Sequence, residues 1–218
     1  MSRVLPILFN TEMVRAILDG RKTCTRQICK DANEYTVPDM DFYNADKRTY
    51  AVHNFIDREH TEQLSTAERT CSICPGDILY VRETWCALPV NEVGHMRGHS
   101  IYYYRADGDL RPEGWRGKWR PSTQMPKEAA RIWLKVTDVR VERLQDITSE
   151  QIGREGVEVE YPHVLNGEEK RYAFSNLWNS TIKKSDIDRY GWDASPWVWV
   201  IEFGLCDKPS EPYQQNGE

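Results

Sequence analysis

The sequence predicts an α+β fold, a small mixed β-barrel with a few peripheral helices and one long insertion. Three observations predict it. Runs rich in β-branched and aromatic residues recur between residues 78 and 203; helical patterns are few and short; and strands do not alternate with helices as a parallel α/β sheet requires.

The elements follow in order. Residues 11–18 read as a helix: Thr11 can cap it, Glu12 sits in its first turn, and Met13, Ile17 and Leu18 form an apolar stripe. Gly20 ends it, which sets the segment Gly20-Arg21-Lys22-Thr23-Cys24-Thr25-Arg26 on a loop just beyond a helix end. Residues 27–70 are polar and irregular and read as a long insertion, with a short hairpin at 49–56. Pro75-Gly76-Asp77 is a turn signal before a strand at 78–82. Further strands are predicted at 101–105, 132–137 and 139–144. Thr148 and Gln151 open a second helix that Gly156 closes; a third covers 173–179; and residues 196–203 form a strong last strand. Residues 1–206 make one domain, and the polar tail 207–218 reads as disordered.

Charge and composition narrow the function. A net charge of −5 argues against a protein that tracks a long duplex, while leaving room for a nucleoside or a local basic groove. Eight Trp and eleven Tyr must fill a core or line a surface that stacks on flat ligands. The first apolar run is short and interrupted by Pro6, and nothing later approaches a membrane span, so the expected location is cytoplasmic, with six reduced Cys. Cys71 and Cys74 have metal-ligand spacing, but a single C-x-x-C is weak, and neither a metal nor a cofactor is expected.

Four segments, taken together, resemble one family. Gly20-Arg21-Lys22-Thr23-Cys24-Thr25 is similar to the G-x-K signature of ASCH domains, in the form carried by small N(4)-acetylcytidine amidohydrolases. Pro75-Gly76-Asp77, the stretch from Leu144 to Glu155-Gly156, and Trp199-Val200-Ile201-Glu202-Phe203 follow in the family's order. Val81-Arg82-Glu83-Thr84-Trp85 and Trp119-Arg120-Pro121-Ser122 resemble the longer ASCH proteins of bacteriophages and prophages. The resemblance implies a PUA-like barrel around a cleft, a nucleoside or RNA ligand, and a catalytic set of Lys22, Thr25 and Glu155. The family's arginine stands two residues after the threonine, where this chain has Gln27; Arg26 sits one place early.

Threonine hydrolysis of an amide needs a base, an acid for the leaving amine and donors for the oxyanion. Lys22 is the expected base, its ammonium destabilised by burial and by Arg21 and Arg26. Glu155 is expected to carry a proton to the leaving exocyclic amine or to orient water for deacylation. Gly20, Arg21, Arg26, Arg82, Trp85, Tyr103 and Trp119 are the expected substrate-binding residues, the aromatic ones as a stacking wall for a pyrimidine. Two other functions fit the same cleft: a non-catalytic module that binds RNA or a modified base, and a ribonuclease.

Overall fold

The computed structural model describes residues 2–32, 36–57, 59–89, 100–115, 117–159 and 168–209. The fold is mixed α+β, as the sequence predicts. At its centre lies a five-stranded sheet in the order β1 (Val4–Leu8), β6 (Ile78–Arg82), β9 (Trp133–Arg143), β10 (Trp197–Cys206) and β2 (Cys24–Ile28). β1 runs parallel to β6 and the other neighbours are antiparallel. The sheet is open, with β1 and β2 at its edges.

β10 explains why the sheet has a core on both sides. Period-two alternation sends Trp197, Trp199, Ile201 and Phe203 to one face and Val198 and Val200 to the other. The first face packs with Val139, Val136 and Leu134 of β9 and is covered by a second, three-stranded sheet. That sheet is β3 (Thr36–Asn44), β4 (Thr49–Phe55) and β5 (Gln63–Thr70), paired as an antiparallel meander. Tyr50 and Val52 of β4 face inward, and the Tyr50 ring meets Trp199 edge-on at 4.9 Å. The segment read as irregular is therefore largely ordered sheet. The polar residues that suggested a loop lie on its outer side: β5 is exposed along almost its whole length.

The opposite face is covered by α2 (Ser149–Arg154) and α3 (Glu168–Thr181), through Ile152, Phe174 and Trp178 packed on Val198 and Val200. Thr148 and Gln151 form the expected capping box, and Gly156 follows the helix at φ +85°. α3 is twice the length predicted, and a single turn, α4 (Ile187–Tyr190), follows it. At the other end of the sheet a hairpin, β7 (Trp85–Pro89) and β8 (Ser100–Tyr104), packs on Trp133. The helix α1 (Thr11–Leu18) connects β1 to β2; its cap is Asn10, whose side chain accepts from Met13 N–H, one residue earlier than expected.

Among the described residues all six Cys are free thiols and no helix is long and apolar enough to cross a membrane. Of the tail, residues from 210 onward lie outside the described residues.

Candidate functional site

The segment 20–26 is a loop only in part. Gly20 takes φ +75°, and the N–H groups of Arg21 and Lys22 both close on Ala16 C=O, fastening the turn to the end of α1. Thr23 N–H then donates to Arg154 C=O at the end of α2, and its C=O accepts from Phe203 N–H. From Cys24 the chain is strand β2, paired with β10 so that Thr25 faces Ile201 and Arg26 faces Val200. Thr25 and Arg26 are thus held by a sheet and not by a mobile loop.

This stitching brings the end of α2 against Lys22. A side chain at Gly156 would put its Cβ 2.7 Å from Ala16 Cβ and 3.1 Å from Lys22 Cβ. Only glycine allows that approach, and the residue before it is Glu155. Lys22 Nζ donates to Glu155 Oε2 at 2.8 Å, Glu155 C=O at 2.9 Å and Cys24 C=O at 2.8 Å. Arg26 Nη1 donates to Glu155 Oε1 at 3.0 Å, while its Nη2 reaches Glu142 at 3.1 Å and Gln151 at 3.2 Å. The side chains of Lys22, Arg26 and Glu155 are 0%, 1% and 5% exposed, so this is a buried carboxylate between two buried cations. Such an arrangement is tolerable because every charge has a partner.

The contacts of Lys22 all lie within the protein. Its ammonium has three protons and all three are given to acceptors, one of them the carboxylate, so it anchors Glu155. The neighbouring cations have carboxylates of their own. Arg26 is matched by Glu155 and Glu142, and Arg21 by Asp19 and Glu158. Burial, then the nearby Glu155 charge, push the Cys24 thiol up to about 11.

Thr25, Arg26 and Glu155 line one cavity of about 60 Å³, together with Met13 of α1 and Phe174, Leu177, Trp178 and Thr181 of α3. That volume admits a few waters or a short acyl group. It is far below the several hundred Å³ of a site that engulfs a drug-sized ligand. Glu155 keeps lone pairs beyond the two its cations use, so the polar end can still accept from a guest.

The other predicted residues stand elsewhere. Arg82, at the end of β6, donates to Thr123 C=O. Trp85 is buried under the β7–β8 hairpin against Tyr102; Tyr103 meets Trp115; and Trp119 lies beneath Arg105 and Arg111. None of them borders the cavity, because the hairpin packs at the Trp133 end of the sheet while the cavity opens between β2 and α3. The aromatic wall is instead Phe174 and Trp178, four apart on α3. That i, i+4 pair was readable as a helix face, although not as the wall of this site.

No protein-family model matches the chain, and no curated protein matches it. Among solved structures it is similar to an ASCH domain from Lactobacillus crispatus JV V101, with 10% identity, 93% of this chain and 79% of that chain covered, and a TM-score of 0.38. It is also similar to a protein described as hypothetical, with 15% identity, 93% of this chain and 99% of that one covered, and a TM-score of 0.35.

Proposed function

We propose that this protein is a cytoplasmic amidohydrolase of the ASCH type, removing a short acyl group from N(4)-acetylcytidine or a related modified nucleoside. The observation that carries the reading is the meeting of Thr25, Arg26 and Glu155 on one small cavity, with Lys22 fastened to Glu155 from behind. The acyl group enters the cavity and the base stays at its mouth, since 60 Å³ has no room for a nucleoside. Thr25 stands on the opposite face of β2 from Arg26 but borders the same cavity, so its Oγ1 attacks the acyl carbon while its proton passes through a cavity water to the Glu155 carboxylate; Glu155 then returns the proton to the departing exocyclic nitrogen. The N–acyl bond breaks, an acyl ester on Thr25 forms, and water hydrolyses it to the free acid. Arg26 and Lys22 hold Glu155 and supply positive charge near the developing oxyanion. In this scheme Lys22 is a positioning residue, a different role from the base the sequence suggests.

The test is direct: the purified protein is incubated with N(4)-acetylcytidine and cytidine release is followed by chromatography. Turnover that disappears in Thr25→Ala is expected, and turnover no higher than that of Thr25→Ala overturns the reading. One observation favours a second reading, recognition of a modified base or RNA without chemistry: all three Lys22 protons are already committed within the protein. Under that reading the acylated nucleoside binds, Thr25→Ala binds it equally well, and neither releases cytidine.

A further inference from the structure

On the other side of the central sheet from α3 and its cavity, the three-stranded sheet carries a threonine, a histidine and an aspartate in a line. Tyr50 and Val52 of β4 face the core, so alternation turns His53 outward. Thr66 of β5 is its direct cross-strand partner on one side and Val37 of β3 on the other, with Asp39 two residues further along the same face. The side chains connect as that placement allows. Thr66 Oγ1 lies 3.0 Å from His53 Nδ1, and His53 Nε2 lies 3.1 Å from Asp39 Oδ2.

A carboxylate can only accept, so Asp39 holds the proton of a neutral imidazole on Nε2 and leaves Nδ1 to accept from the Thr66 hydroxyl. Exposure divides the three groups. The side chains of Asp39 and His53 are 28% and 19% exposed, and the Phe42 ring stands edge-on to the imidazole at 6.0 Å. Thr66 is open to solvent.

A bulge supplies a fourth group. Asn54 opposes Ser65 but Phe55 opposes Gln63, which leaves Leu64 as an extra residue in β5. In a regular strand residues 63 and 66 point to opposite faces; the extra residue puts both on the side of His53. Gln63 Nε2 accordingly stands 2.7 Å from Thr66 Oγ1 and 3.1 Å from His53 Nδ1. An amide N–H so close to the hydroxyl is placed to donate to the oxygen of a carbonyl attacked there.

A hydroxyl, an imidazole to take its proton, a carboxylate to orient the ring and a donor for the oxyanion are the parts of an acyl-transfer site. We propose that Thr66, His53 and Asp39 form a second site, separate from the cavity of Thr25 and Glu155, that hydrolyses small carboxylic esters. Thr66 Oγ1 bonds to the acyl carbon while its proton moves to His53 Nδ1. The ester C–O bond then breaks and the departing alcohol oxygen takes that proton. Water gives a proton to the same nitrogen, attacks the acylated Thr66 and releases the free acid. Asp39 touches no reacting atom and is a positioning residue. One oxyanion donor and an exposed nucleophile suit an ester with a good leaving group and not an amide.

The test uses the full chain with p-nitrophenyl acetate, following p-nitrophenolate by absorbance and locating the acetyl group by peptide mass spectrometry. Each variant is made both in the wild type and in Thr25→Ala, so that ester consumed at the cavity is subtracted and the failure of one site is read apart from the other. A burst and an acetyl group on Thr66 are expected, and both are expected to vanish in Thr66→Val and to persist in Thr66→Ser. His53→Gln is expected to slow acylation about 100-fold. Asp39→Asn is expected to lower the rate at saturating ester about tenfold or more with KM unchanged, and Asp39→Glu to recover part of it. A wild type with no acetyl group on Thr66 overturns the proposal. So does a burst of equal size in Thr66→Val, or acylation of Thr66 at the wild-type rate in His53→Gln.

Discussion

Glu155→Gln is the sharpest probe of the buried cluster. The substitution keeps the shape of the side chain and removes the charge that faces Lys22 Nζ at 2.8 Å and Arg26 Nη1 at 3.0 Å. Both cations stay where they are, because Lys22 still donates to two carbonyl groups and Arg26 to Glu142 and Gln151. Removing one partner of a buried pair costs about 3–5 kcal/mol, because the other charge is left uncompensated. Against a total stability of about 5–15 kcal/mol that is a large loss. With an urea m-value of about 3 kcal/mol/M, the unfolding midpoint should fall by about 1–2 M with m unchanged. Adding Lys22→Met removes one of the stranded cations, so the double variant should recover about 1 kcal/mol or more relative to additivity. A loss under about 1 kcal/mol for Glu155→Gln, the level of an exposed ion pair, would refute the claim that this carboxylate balances two buried charges.

Two further outcomes are expected. Gly156→Ala must place a Cβ against Ala16 and Lys22 at φ +85°, whereas Gly20→Ala meets only the left-handed backbone, with open space around it. The first should cost about 2–5 kcal/mol and the second about 1–2, read as melting temperatures measured side by side; equal shifts would mean that α2 does not press on Lys22. For Asp77, burial would raise the carboxyl, but hydrogen bonds from the Arg3 side chain, Cys74 N–H and Arg3 N–H outweigh it and hold the group below its ordinary 3.8. A folded value below the unfolded one gives stability that is fully present above pH 3.8 and drains as the pH falls further. The stability gap between wild type and Asp77→Asn, measured by urea unfolding from pH 6 to 2, should therefore narrow below about pH 3.8. A gap that stays constant would contradict it.

What was legible in the sequence follows from where each signal comes from. Strand 78–82 was readable to the residue because a turn precedes it and both its faces are apolar enough to alternate. The last strand was readable for the same reason, and the capping box gave the start of α2. β1 was missed because Pro6 interrupts it, but β1 is an edge strand of the sheet, where a residue without an N–H is tolerated. The three-stranded sheet was missed because its outer face is polar and β5 buries almost nothing, so the period-two signal is absent there. Nor could local pattern join Lys22 to Glu155, which lie 133 residues apart; that pairing came from family resemblance, and the geometry that makes it depends on Gly156.

Arg26 shows how one residue of register decides a site. On a strand, neighbouring side chains point to opposite faces, so an arginine moved by one place changes what it can touch. In β2, Arg26 is buried and pairs with Val200, on the face where Val198 and Val200 meet α2 and α3. There its guanidinium reaches Glu155, Glu142 and Gln151 together. Gln27, the next residue, is exposed. An arginine at 27 in this backbone would face away from Glu155 and leave the carboxylate with Lys22 alone. The early arginine therefore supplies Glu155 with its second cation. The exchange Arg26→Gln/Gln27→Arg should behave as a broken buried pair and cost several kcal/mol.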